Sequence, residues 1–253
     1  LEPIDQYMMA KTAKLLSDVE EAYDAFKFNG VYRAVYDFVN DLSSVYMDVT
    51  KDRLYSEAPN SPRRRAVQTV LMNILEVLVR VLSPILSFTA DEVWEHYPEA
   101  MRNREGRVDN VQLAGWPHRA DFVPALPGKD AEAQVLSAFG GALEVRDVVT
   151  KALEDARAAK VINKSQEAAV VVTAPQATLD ALAAFDTAVF EELFIVSGVS
   201  FAAGEELSCE VKPAEGDKCP RCWNYRQLGG NANHPHVCAR CGEALDAIGF
   251  TEE

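Results

Sequence analysis

Runs long and apolar enough to cross a membrane are missing from this chain: nowhere do about eighteen apolar residues follow one another. The opening Leu1-Glu2-Pro3-Ile4-Asp5 lacks both the basic and the apolar part of a secretory signal. Membrane insertion and export are thereby excluded as expectations, and a cytoplasmic location is expected. A starting methionine is also missing, so a piece of a longer protein is expected. Catalytic signatures are lacking too, with no G-x-x-x-x-G-K-[ST] phosphate loop, no H-E-x-x-H and no G-x-S-x-G. Histidine is scarce, and none of His96, His118, His234 and His236 has an evident nucleophile beside it. Positive charge is short: 25 basic against 39 acidic residues leave −14, shared by residues 1–118, 119–213 and 214–253. A whole-protein basic footprint for nucleic acid is therefore absent, and any such role must rest on local patches.

Cysteine is scarce but placed. Four of the five cysteines form two Cys-x-x-Cys pairs, Cys219 with Cys222 and Cys238 with Cys241, with fifteen residues between the pairs. Two such knuckles are the pattern by which a short segment wraps one tetrahedral zinc ion, and four thiolates leave no position open for substrate. Structural zinc in a reducing compartment is expected. His234 or His236 replacing one cysteine is the less favoured ligand set. Cys209 reads as a small buried apolar residue. Lys218, Arg221, Arg226 and Arg240 stand on the knuckles, and no acid occurs from 218 to 242. The run Trp223-Asn224-Tyr225-Arg226 has two uses: aromatic rings covering a zinc site, or rings and an amide meeting unstacked RNA bases.

Upstream the pattern is helical. Leu15, Leu16, Val19, Tyr23 and Phe26 form one stripe, and Val31, Val35, Phe38, Leu42, Val45 and Val49 another, predicting two antiparallel helices. Ser61-Pro62 predicts a helix start. The helix opens with Arg63-Arg64-Arg65, which either meets an anion or pairs with neighbouring acids. Asp52 between Lys51 and Arg53 likewise allows internal ion pairs. Ser83-Pro84 predicts a break, and Thr89-Ala90-Asp91-Glu92 a capping box. From Arg102 to Lys129 the glycines and prolines, including Pro124 and Pro127-Gly128, predict a linker. A helix over 131–160 containing Gly140-Gly141, a strand over 168–173, a helix from Pro175 to about Phe185, a strand over 193–201 and a third over 207–211 complete a small α/β module.

Several of these runs carry a resemblance. Cys219-Pro220-Arg221-Cys222-Trp223-Asn224-Tyr225 ahead of a second knuckle resembles the C-terminal zinc module of bacterial isoleucyl-tRNA synthetases, a module type shared with formamidopyrimidine-type DNA glycosylases. Lys51-Asp52-Arg53-Leu54-Tyr55, Arg64 to Leu71 and Pro84 to Trp94 resemble the anticodon-binding helices of class I synthetases. Ala152 to Arg157 and Ile162 to Ala168 resemble the isoleucyl family's junction region, departing from it at Asn163 and Gln166, where glycine and leucine are expected.

The resemblance implies a mainly α, multi-domain chain: an antiparallel helix bundle over 1–118, an α/β junction module over 119–213 and a zinc knuckle or ribbon over 214–253. It implies a monomeric, anticodon-arm-binding part of an enzyme that joins isoleucine to its tRNA with ATP and Mg2+. Those cofactors belong to a catalytic domain whose HIGH and KMSKS signatures are not in this sequence, so the piece alone is expected to be inactive. Lys51, Arg53, Arg63, Arg64 and Arg65 are the expected phosphate contacts, Trp223, Asn224, Tyr225 and Arg226 the expected approach to loop bases, and Lys218 and Arg221 complete the expected tRNA-binding residues. The alternatives are a zinc-finger DNA-binding protein of the glycosylase type, which needs a β-sandwich ahead of the zinc segment, and a non-catalytic helical scaffold capped by zinc.

Overall fold

Alternating apolar and charged residues at helical spacing put most of this chain into helix, and a small sheet region and a four-cysteine cluster follow near its end. The computed structural model describes residues 1–102, 106–122 and 129–251. Contacts divide the chain into two compact units, Ile4–Tyr46 with Gln68–Ala133, and Leu1–Pro3 with Met47–Val67 and Gln134–Glu253. These units cut across the boundaries expected at 118 and 213. The chain changes unit inside helical segments, where sequence carries no boundary signal.

In the first unit, α1 (Pro3–Asp24) buries Met8, Met9, Leu15, Leu16 and Val19. Asp5 is fully buried and accepts a hydrogen bond from the Tyr46 hydroxyl at 2.8 Å, the partner a buried carboxyl needs. Phe26 leaves the expected stripe: it lies past the helix end at φ 54° with its ring exposed. Helix α2 (Phe28–Asp41) buries Val31 and Phe38, passes through a π-helical segment, Leu42–Met47, and leads into α3 (Asp48–Ser56). Helix α4 (Pro62–Leu82) begins at the expected proline and stops before Ser83-Pro84.

Helix α5 (Ser87–Glu95) begins two residues before Thr89, so the capping box does not form. Its Asp91 instead accepts hydrogen bonds from the Val111 amide and the Asn110 side chain, each at 3.1 Å. Trp94 and Tyr97 are buried with Val79, Ala90 and Val111, and the Arg107 guanidinium lies 3.9 Å over the Trp94 ring. Helix α6 (Glu99–Arg102) leads into the expected linker, which contains packed structure of its own: a 3₁₀ turn at Val111–Leu113 and α7 (Arg119–Phe122). Pro124, Pro127 and Gly128 lie outside the described residues.

The second unit is built on α8 (Lys129–Ala158), which leads through a turn to β1 (Ala168–Ala174), α9 (Gln176–Leu182), α10 (Thr187–Phe194), β2 (Gly198–Ala203) and β3 (Ser208–Pro213). The sheet order is β2-β1-β3, parallel between β1 and β2 and antiparallel between β1 and β3. The apolar run 193–201 is not one strand. Leu193 and Phe194 end a buried helix, Ile195 turns the chain at φ 58°, and only from Gly198 is it extended. A short apolar run suits a buried helix end and a buried strand equally, so periodicity could not separate them. Asn163, outside the left-handed region, needs no glycine: its amide and side chain both donate to Glu167, at 2.8 and 3.2 Å.

Candidate metal centre and nucleic-acid interface

The knuckles form at the two ends of a short loop-rich segment. Strands β4 (Asp217–Lys218) and β5 (Tyr225–Arg226) pair antiparallel, and Cys219 and Cys222 sit in the turn between them. That turn closes through Trp223 N to Cys219 O at 2.8 Å and Cys219 N to Asn224 O at 2.9 Å. Trp223 occupies φ 66°, a left-handed position that glycine usually fills. The second pair opens α11 (Ala239–Ala247), with Cys238 at the N-cap and Cys241 in the first turn, where unpaired amides favour thiolates.

All four sulfurs lie within 4.8 Å of one another, and Cys222 and Cys238 Sγ are 3.8 Å apart. Sulfurs tetrahedrally placed about 2.3 Å from a zinc ion would be about 3.8 Å apart, so the donors fit that ion. The Cys222 thiol is drawn down by a hydrogen bond from Cys241 first, against burial, with help from the Asn224 amide and Arg240; Cys241 is raised in return. His234 is buried but stands outside the sulfur group, its Nε2 3.4 Å from Asp246 Oδ1, and His236 is exposed.

Most of the expected phosphate-binding cations are engaged by the protein itself. Arg53 is 2% exposed and grips Glu192 with two donors, one of them Nη2 at 2.7 Å. Arg63 reaches Glu57 and Glu192, each at 2.8 Å, so of its two readings the pairing with acids describes its geometry. Arg64 donates to Leu54 O and Pro59 O at 3.1 and 3.2 Å. Lys51 bonds Asp48 at 2.6 Å, and Arg65 is exposed. Arg226 bonds Ser197 O and Glu191, at 2.9 and 2.6 Å, and the Tyr225 amide donates to Ser197 Oγ at 2.8 Å. Arg221 bonds Ser56 O and the Cys241 sulfur, and Arg240 bonds Asp52. Several of these charges line a cleft of about 560 Å³ among α3, α10 and the knuckles, where six acids outnumber four cations.

Around Trp223 the arrangement differs. Its ring is 49% exposed, and the ammonium groups of Lys164 and Lys218 lie 4.2 and 5.4 Å from the ring centre. Lys218 was expected from the sequence; Lys164 was not. It stands 59 residues away in the turn before β1, and only folding brings it to the ring. Asn224 is half-buried, with its carbonyl used in the knuckle turn.

Residues 5–172 match the family described as the anticodon-binding domain of tRNA ligase, and residues 216–242 match a zinc finger found in FPG and IleRS. The chain is 39% identical to the isoleucine–tRNA ligase of Geobacillus kaustophilus, over 96% of this chain and 26% of that one. It is 37% identical to the Thermotoga maritima enzyme, over 94% and 26%, and 36% identical to that of Kosmotoga olearia, over 99% and 27%. The chain thus spans about a quarter of the length of the curated relatives it matches.

Proposed function

Because the chain belongs to the anticodon-binding domain family of tRNA ligases, we propose that it is the part of an isoleucine–tRNA ligase that holds the anticodon arm of the isoleucine tRNA. The whole protein would attach isoleucine to that tRNA using ATP and Mg2+, on a catalytic domain that is not part of this sequence. This chain alone would bind RNA, as a monomer in the cytoplasm, without forming the ester. Among the described residues no helix is long and apolar enough to cross a membrane.

One zinc ion held by Cys219, Cys222, Cys238 and Cys241 would brace the terminal segment; the convergence of four sulfurs supports this. Four protein ligands complete a tetrahedral sphere, so the ion's contribution is folding energy rather than catalysis.

The observation that carries RNA binding is the half-exposed Trp223 ring flanked by two ammonium groups. A ring of this kind offers a stacking face to an unstacked base, and lysines beside it meet the phosphates that flank that base. Lys51 and Arg65, exposed on α3 and at the head of α4, together with Arg64 would meet backbone phosphate. Arg53, Arg63 and Arg226, engaged by carboxylates, would hold the frame from which these residues project. Ahead of the zinc finger stand helices and one three-stranded sheet, which does not support the glycosylase reading, because that reading needs a β-sandwich there.

The test is binding of a labelled anticodon stem-loop of the isoleucine tRNA, measured against the same stem with a changed anticodon. Preference for the isoleucine loop at physiological salt is the expected result. Equal binding of both stems, or displacement by any polyanion, would favour the capped helical scaffold.

A further inference from the structure

The two knuckles share a detail beyond their cysteines: each reads Cys-x-Arg-Cys, Cys219-Pro220-Arg221-Cys222 and Cys238-Ala239-Arg240-Cys241. Arg221 turns away from its own knuckle, and its Nη1 lies 3.6 Å from the sulfur of Cys241, the last cysteine of the opposite pair. Arg240 stands beside Cys241 on the second knuckle, and its Nη2 is buried without a hydrogen-bond partner.

Both guanidinium groups grip the same helix. Arg221 Nη1 donates to the backbone carbonyl of Ser56, and Arg240 Nη1 donates to the Asp52 carboxylate. Asp52 and Ser56 are one turn apart on α3, so both arginines fasten the same face of that helix. The adjoining face is left outward, with Lys51 exposed and Tyr55 83% exposed.

Four thiolates around a divalent ion leave roughly two negative charges in excess. Two guanidinium groups, one from each knuckle, match that excess in charge, and an N–H donor aimed at a sulfur, as Arg221 Nη1 is at Cys241, orients that ligand. We propose that Arg221 and Arg240 are positioning residues that couple zinc binding to the seating of α3, so that metal load in the terminal finger sets the helix presenting Lys51 and Tyr55. The inference rests on the reading that the four cysteines hold zinc. Loss of the ion loosens the knuckle turns that carry both arginines, and with them the hold on one face of α3.

The experiment uses the full chain and two readouts: zinc affinity by competition with a chromophoric chelator, and amide hydrogen exchange over residues 48–56 by mass spectrometry. Arg221→Met and Arg240→Met should each weaken zinc binding by about tenfold or more, while one zinc per chain is still taken up at excess metal. Exchange over 48–56 should accelerate in both, and in the parent once the chelator has removed the ion. Asp52→Asn, which alters no residue of the finger, should weaken zinc binding in the same direction through Arg240. This keeps the test informative if an arginine variant fails to fold. A parent that binds one zinc, with Asp52→Asn and both arginine variants within twofold of its affinity and α3 exchange unchanged, would overturn the coupling. A parent that takes up no zinc would overturn the metal reading itself.

Discussion

Arg53 and Glu192, 139 residues apart in sequence, are joined by a two-pronged ion pair: Nη2 lies 2.7 Å from Oε2, Nε faces Oε1, and the guanidinium is 2% exposed. A buried charge is tolerated only with its counter-charge, and removing one partner of such a pair typically costs about 3–5 kcal/mol. Glu192→Ala should therefore lower the urea midpoint of the unit holding α3, α10 and the sheet by an amount near the lower end of that range, since Arg63 keeps Glu57. Pairing it with Arg53→Met should recover most of the loss. A midpoint unchanged by Glu192→Ala would mean that Arg53 is held by something else.

Thiol chemistry separates the metal centre from the fifth cysteine. With zinc bound, alkylation at pH 8 should be slow everywhere; after chelation the four knuckle cysteines should label together. Cys209 should stay the slowest, because burial pushes its thiol up to about 11. At pH 8 that leaves about a hundredfold less thiolate than an unperturbed thiol carries. The folded state favours the neutral thiol, so this contribution to stability is complete below the ordinary thiol pKa and is lost as pH rises toward 11. Peptide mass spectrometry after timed alkylation checks the order.

RNA contacts divide by what they would read. Trp223→Ala should weaken the isoleucine anticodon stem-loop by about 1–3 kcal/mol, the usual value of one stacked base, and weaken a changed anticodon less. Lys164→Gln and Lys218→Gln should each reduce the slope of log affinity against log salt by about 1, for any stem-loop. Arg64 and Arg65 replaced together should act in the same unselective way. Fluorescence anisotropy over a salt series distinguishes the classes, and a Trp223 variant indistinguishable from the parent would remove the ring from the interface.

Gly140 and Gly141 sit inside α8, and a Cβ built at either meets nothing within 4 Å. Neither lies in the left-handed region among the described residues. Alanine at each should stabilise the helix by up to about 1 kcal/mol, seen as a higher Tm. A lower Tm would mean that the added methyl groups are not in open space within the chain.

Local order was legible in the sequence wherever one short-range rule acted alone. Helical stripes, the proline opening α4 and the Cys-x-x-Cys spacing each depend on residues within a turn or two, so the helices and the convergence of four sulfurs followed from them. Even the knuckle arginines were visible as an island of positive charge. What that charge does was decided by tertiary structure, because Glu191, Glu192, Asp52 and the Ser56 carbonyl reach Arg226, Arg53, Arg240 and Arg221 only through packing. The run 193–201 failed for a related reason: burial, which periodicity does not encode, chose helix for its first residues and strand for its last. Lys164 beside Trp223 belongs to the same class, two residues with no sequence relation that one fold sets 4.2 Å apart.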